Sequence, residues 1–318
     1  MHTTWESSRE KQLHYARRRA EQTALYRVIY HYRDEFERRW SELFEEKYGA
    51  LRHEVLEAFD GYLNCGILLH GCARAYCEKC HHSELIPFSC KRRGLCPSCD
   101  AKRALIFAEH LEEHVLLKEP HRHLVFTIPK RLRIYFRYDR KLTRHLYCAA
   151  WESWKEYLEE KFPGVTPGMV MALHSAGDLL HFHPHLHAIA LDGGIDDTGT
   201  FHRLSECDVA KLESRFAEKV FAALRGENLI TDEVIENMRS WNHSGFSVFS
   251  AEPIAGEDRD ARLFLARYLK KCPISLSRMS ITERDGKTVI QYARKLDDGE
   301  EIREFSPLEF LESIAYCP

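Results

Sequence analysis

"LLHFHPHLHAIALDGG", residues 179–194, places a histidine at every second position: His181, His183, His185 and His187. Successive side chains on a strand point to opposite faces, so these four imidazoles share one face while Phe182, Pro184 and Leu186 take the other. Neutral imidazoles bind divalent ions through a ring nitrogen, and partners two apart on a concave strand converge on one ion. The histidine face can therefore hold a cation.

The flanking segments set the fold class. "HRHLVFTIP" (121–129) and "GMVMALHSAG" (168–177) are strand-like, and the latter precedes the histidine strand in an order suited to a hairpin. "LTRHLYCAAWESWKEYLEEKF" (142–162) and "ECDVAKLESRFAEKVFAALRGE" (206–227) carry helical periodicity, and "DARLFLARYLKKCP" (260–273) is a shorter amphipathic helix closed by Pro273. "ISLSRMSITERDG" and "KTVIQYARKLDDG" read as strands joined at Asp285-Gly286, a favourable turn dipeptide. Residues about 8 to 60 read as a helical lead-in, with Leu25, Val28, Ile29, Phe36 and Trp40 at helical spacing. Helices alternating with antiparallel strands predict an α+β fold. The expected division is a helical N-terminal segment (1–60), a cysteine-rich zinc-binding domain (61–115) and a catalytic domain (116–318).

With 318 residues, 44% hydrophobic and 30% charged, the composition is that of a soluble globular chain of two or three modest domains. No apolar run approaches the ~20 residues of a membrane helix. The N-terminus "MHTTWESSREKQLHYARRRAEQ" lacks the apolar core of a signal peptide, which predicts a cytoplasmic protein with reduced thiols. The net charge of −3 gives no overall reason to expect a polyanionic partner. "KRLRIYFRYDRKLTR" (130–144), however, carries seven Lys or Arg against one Asp, with Tyr135, Phe136 and Tyr138 interleaved. That pattern suits single-stranded nucleic acid, with Lys130, Arg131 and Arg133 on phosphates, and equally suits an ordinary solvated helix face. The stretch "LDDGEEIREFSPLEFLE" is acidic, so positive potential must come from elsewhere in the chain.

Seven of the eleven cysteines crowd into residues 65–99. Cys77-x2-Cys80, a gap of fifteen residues and Cys96-x2-Cys99 match a four-cysteine zinc site, in which two tight turns each offer a thiolate pair. Such an ion supplies folding energy rather than chemistry. Cys65, His70, Cys72, His81, His82 and Cys90 are then surplus, either a second site or small packed residues. Arg92, Arg93, Lys102 and Arg103 flank the second knuckle and give the module a means of gripping phosphates.

A cation held by two or three histidines keeps open positions and can polarise a phosphoryl oxygen. A reaction also needs a nucleophile. "LFLARYLKKCPISLSRM" offers Tyr268 on a basic helix, with Arg267, Lys270 and Lys271 able to position a phosphodiester for attack by the phenol oxygen. Taken alone, Tyr268 fits a packed aromatic equally well.

The order of "SCKRRGLCPSC", "HLVFTIPKRLR", "HPHLH", "ARYLKKCPIS" and "FSPLEFL" resembles rolling-circle transposases of the insertion-sequence-91 type, including the common-region elements. These belong to the HUH single-strand endonucleases, named for a histidine-hydrophobic-histidine motif. The resemblance covers roughly residues 20 to 315. It implies an N-terminal zinc-binding domain followed by an HUH domain of RRM/ferredoxin-like type, with a central antiparallel sheet and a Mg2+ or Mn2+ ion. His185 and His187 match the HUH pair, and His183 is a candidate third ligand by its face; His181 is read as a neighbour. Tyr268 matches the nucleophile that cleaves one DNA strand, leaving a 5'-phosphotyrosine and a free 3'-hydroxyl, with the reverse attack rejoining strands. The implied partners are single-stranded DNA at transposon ends and target DNA, at the bacterial nucleoid. Some members carry two tyrosines four apart; here the earlier position is Phe264, which places the chain nearer the single-tyrosine branch. Members usually continue past "SPLEFL", so the end at "AYCP" reads as shortened.

The leading expectation is thus a DNA strand transferase. Its alternative is a non-catalytic zinc-dependent DNA-binding regulator derived from a transposase, and a third reading is a metallohydrolase that uses water.

Overall fold

The computed structural model describes residues 19–296 and 298–316, so the part of the helical lead-in expected before residue 19 lies outside the described residues. In chain order the elements are α1 (Ala24–Leu43), α2 (Glu45–Tyr48), α3 (His53–Leu63), β1 (Cys72–Tyr76), β2 (Ser83–Pro87), α4 (Pro97–His114), β3 (His121–Thr127), α5 (Arg133–Tyr138), α6 (Thr143–Lys161), β4 (Thr166–Ala176), β5 (Phe182–Ile195), β6 (Phe201–Arg203), α7 (Val209–Gly226), α8 (Asp232–Arg239), β7 (Ser247–Ser250), α9 (Arg259–Tyr268), β8 (Met279–Arg284), β9 (Lys287–Leu296), β10 (Gly299–Phe305) and α10 (Pro307–Tyr316). The fold is α+β, as expected. Among the described residues no helix is long and apolar enough to cross a membrane.

The opening stretch is β5, in the interior of an antiparallel sheet ordered β4-β5-β3-β7, with β6 pairing the end of β5. Its even-numbered residues Phe182, Leu186, Ala188 and Ala190 pack with Leu124 and Phe126 of β3 against α6 and α7, through Leu146, Ala150, Trp154, Leu212, Phe216 and Val220. The opposite face meets α4 and α9: Ala172 and Ile189 pack against Ala108, Leu111, Leu263 and Ala266. Burying each of these large apolar side chains contributes about 1.5–3 kcal/mol. Gly193 and Gly194 continue β5 and pair with β6, which approaches so closely that a Cβ on Gly193 would lie 2.0 Å from the His202 carbonyl oxygen.

A second core joins the two ends of the chain. Leu25, Val28, Ile29, Phe36 and Trp40, the helical stripe of α1, are all buried with Val55, Phe59 and Tyr62 of α3, with Met279, Ile290, Tyr292 and Phe305 of the sheet β10-β9-β8, and with Leu308, Phe310, Leu311 and Ile314 of α10. The expected segment 116–318 is therefore split in its packing, since its last three strands and last helix bury their apolar faces on the N-terminal helices. The β8–β9 turn is formed by Asp285 and Gly286, both at positive φ (53° and 70°), as a two-residue hairpin requires.

Candidate active site

The odd-numbered face of β5 meets imidazoles from two neighbouring strands. His185 pairs directly with His174 of β4, while His187 lies opposite Ala172 on one side and Val125 of β3 on the other. One ring nitrogen from each of His174, His185 and His187 falls within 4.8 Å of the others, a span one ion can bridge. Burial keeps the three neutral, as ligands must be: it lowers His174 to about 4 and holds His185 and His187 below the usual imidazole range. His123 Nε2 lies 3.0 Å from His187 Nδ1, which leaves His187 Nε2 to face an ion, and the His185 Nδ1 bonds the His183 carbonyl at 2.7 Å. Outer hydrogen bonds of this kind fix tautomer and ring orientation.

His183, the candidate third ligand, lies outside this group. His183 shares the face of β5, but His174 completes the group because its strand pairs with His185 directly. His183 keeps a buried, unpartnered Nε2, burial and then the Arg133 charge lower it to about 3, and it stacks with His181 toward the strand's start.

Tyr268 is the last residue of α9, which ends there rather than at Pro273. Its ring stands 5.0 Å from His187, 5.8 Å from His123 and 6.0 Å from His174, centroid to centroid. Burial raises the Tyr268 pKa, and the Lys271 ammonium lies over the ring at 5.1 Å. Phe264, one turn earlier, is 71% exposed and outside the residues that line the histidine cleft. That cleft, about 740 Å³, is lined by His174, His183, His185, His187, Tyr268 and residues of α4 and its preceding loop.

The cysteine sulphurs group differently from the expected spacing. Cys96 and Cys99 form a group with Cys65 and Cys90, not with Cys77 and Cys80. Cys65 Sγ lies 3.7 Å from both Cys96 Sγ and Cys99 Sγ, and Cys90 Sγ lies 3.7 Å from Cys99 Sγ. Four sulphurs about 2.3 Å from a tetrahedral zinc ion sit about 3.8 Å apart, so the quartet fits a structural zinc. Hydrogen bonds from the Cys65 and Cys90 sulphurs lower the pKa of both Cys96 and Cys99, the direction a thiolate ligand needs. The physical reason for the exchange is the ribbon β1–β2. Its pairing runs from Cys72↔Pro87 at the base to Tyr76↔Ser83 at the tip. At about 3.4 Å per residue the ribbon carries the exposed Cys77–Cys80 turn some 15 Å outward, while Cys65 and Cys90 stay at its base.

Residues 35–128 match the family described as transposase zinc-binding domain, of the insertion-sequence-91 type, and residues 168–316 match the family described as putative transposase. The chain belongs to the insertion-sequence-91 family of transposases. Among curated relatives of the family, the transposase for insertion sequence element IS801 of Pseudomonas savastanoi pv. phaseolicola is 33% identical over 52% of this chain and 40% of its own length. A putative transposase, y4qJ, of Sinorhizobium fredii (strain NBRC 101917 / NGR234) is 27% identical over 51% of this chain and 41% of its own. The match thus spans about two-fifths of each relative. No solved structure matches the chain.

In this insertion-sequence-91 family member the expected phosphate-binding residues separate into groups. Arg93, Lys270 and Lys271 line the histidine cleft. Arg92 lies against the backbone of Gly61, and Arg267 is exposed on α9 outside the cleft lining. Arg133 is half-buried and donates to the Ile128 carbonyl, so burial lowers its pKa, while Arg131 bonds Asn237 and lies over Trp241. Lys130 is exposed. The interleaved rings of 130–144 are mostly packed: Phe136 is buried in the core and Tyr135 packs against it. Arg137 and Arg140 lie over Phe182. Tyr138 and five of the seven basic side chains of the run, Lys130, Arg131, Arg140, Lys141 and Arg144, are exposed. His123 and His174 escaped the sequence reading as site residues, and Cys65 and Cys90 entered it only as surplus to the first site, because their partners are far along the chain. A histidine on each neighbouring strand-like segment, in "HRHLVFTIP" and "GMVMALHSAG", was the available signal.

Proposed function

We propose that this chain is a strand transferase that nicks and rejoins single-stranded DNA at transposon ends through Tyr268, as in rolling-circle transposition. The observation that carries the reading is the placement of the Tyr268 ring 5.0 Å from His187 and 6.0 Å from His174, at the end of a helix followed closely by Lys270 and Lys271. The transposase names of its relatives support DNA as the substrate. In the first step the Tyr268 oxygen bonds to the phosphorus and the bond to the 3' oxygen breaks. The phenol proton passes to solvent, the departing 3' oxygen takes one up, and a 5'-phosphotyrosine remains. Attack by a 3'-hydroxyl reverses the step and rejoins strands, for example to target DNA, with no external energy source. Lys271, over the ring, stabilises the phenolate character that develops as the proton leaves.

His174, His185 and His187 would hold a Mg2+ or Mn2+ ion, which when bound polarises a phosphoryl oxygen. His123 keeps His187 turned toward that position. A protein working on chromosomal DNA acts in the bacterial cytoplasm, at the nucleoid.

The test is a covalent adduct. Single-stranded element-end DNA with Mn2+ is expected to yield a denaturation-resistant protein–DNA band, absent for Tyr268→Phe and for His185→Ala combined with His187→Ala. A band that persists in Tyr268→Phe removes Tyr268 as nucleophile. Binding without any adduct in the unsubstituted protein supports the regulator instead.

A further inference from the structure

We propose that the zinc module is itself a wall of the strand-cutting cleft, and that Arg93 of its knuckle loop grips a phosphate of the single strand lying beside Tyr268. This rests on the reading of Tyr268 as the centre of a DNA site and adds to it the strand's path and a role for the module at the point of cutting.

Three observations carry it. First, Arg93, Gly94, Asp100, Arg103 and Phe107, from the module and its helix α4, line the same cleft as His187 and Tyr268. Second, the cleft is strongly positive although the chain has a net charge of −3. Five cationic side chains line it against the carboxylates Asp100 and Asp178. Both carboxylates are already engaged, Asp100 by Arg103 at 3.0 Å and Asp178 by Arg278 at 3.4 Å. Arg93, Lys270 and Lys271 form no ion pair among the described residues, so they are left to neutralise phosphates. Low-dielectric walls with one excess sign focus such a field.

Third, the loop that bears Arg93 is fixed relative to Tyr268. Buried Asp100 accepts from the Gly94 amide at 2.8 Å, and the Arg103 guanidinium that pairs with it also donates to the Lys91 carbonyl at 2.8 Å. Cys272, four residues beyond Tyr268, lines the cleft together with the same carboxylate. Farther along, Glu112 of α4 pairs with Arg262 of α9. Cys96 and Cys99 lie at the start of α4, so the cysteine quartet, the arginine loop and the tyrosine helix are joined through that helix. The tip of the ribbon, with the exposed Lys79, is outside the cleft lining.

The experiment uses the full chain with Tyr268→Phe, so that no strand is cut, and a fluorescent single strand of about 12 nucleotides, within the usual site size for such grooves. Affinity is measured by anisotropy over a range of salt. Arg93→Ala is expected to weaken binding at least about threefold and to reduce the salt slope by about 0.7, the value of one single-strand phosphate contact. Lys79→Ala, at the ribbon tip, is expected to leave both unchanged. Equal binding by Arg93→Ala, a loss in Lys79→Ala instead, or no binding of the short strand by the Tyr268→Phe protein itself overturns the proposal. If Arg93→Ala weakens binding but the protein with Tyr268 intact makes no covalent adduct, the strand path stands and the nuclease reading fails.

Discussion

Arg262 Nε donates to Glu112 Oε2 at 2.9 Å, with the two side chains only 4% and 7% exposed. This pair ties α4, which begins at the zinc ligands, to α9, which ends at Tyr268. The same guanidinium also reaches the carbonyls of Gly256 and Leu117, so its buried donors are satisfied.

Removing one partner leaves a buried charge without its mate, which costs about 3–5 kcal/mol. Arg262→Ala should therefore shift the urea midpoint sharply downward. Glu112→Leu combined with Arg262→Met, which replaces the pair by apolar volume, should recover most of the loss. A midpoint that does not move in Arg262→Ala contradicts the assigned role.

Mn2+ titration distinguishes the histidines. Outer hydrogen-bond partners of metal ligands are worth about 10–100-fold in affinity. His123→Ala should cost in that range through loss of the 3.0 Å bond to His187, and His174→Ala, which deletes a ligand, should cost at least as much. His183→Ala should cost less than either. A ranking with His183 first would return the third ligand to β5.

Zinc content separates the cysteines. Cys90→Ser is expected to lose the tightly held ion and much of the module's stability, since such binding is itself folding energy. Cys77→Ser with Cys80→Ser is expected to retain the quartet's ion in elemental analysis. Loss of all zinc from that double variant would place the ribbon turn back in the site.

Glycine substitutions probe the crossing of β5 and β6. Gly193 has φ +149° and no room for a Cβ against His202, so Gly193→Ala should lower the melting temperature, by strain of about 1–3 kcal/mol plus the clash. Gly226→Ala meets nothing within 4 Å at ordinary φ and should be neutral or stabilising by up to about 1 kcal/mol. A melting temperature unchanged by Gly193→Ala would contradict the close approach.

Local periodicity was sufficient for what depends on neighbours in the chain. The alternation in β5, the apolar stripe of α1, the helix of α6 and the Asp285-Gly286 turn follow from side-chain direction and backbone preference within a few residues. The same logic placed His185 and His187 on one face and Tyr268 on a basic helix. What required the tertiary structure was every choice among chemically equal candidates. Cys77 and Cys80 have the spacing of zinc ligands, but the ribbon holds them away, and Cys65 and Cys90 take their place through strand pairing that spacing does not encode. His174 rather than His183 joins the His185–His187 group because β4 lies beside β5 in a register that sets His174 opposite His185. Which residues carry a ligand type is written in the chain; which of them meet at one ion is decided by long-range packing, where contacts between distant segments fix positions to within an ångström.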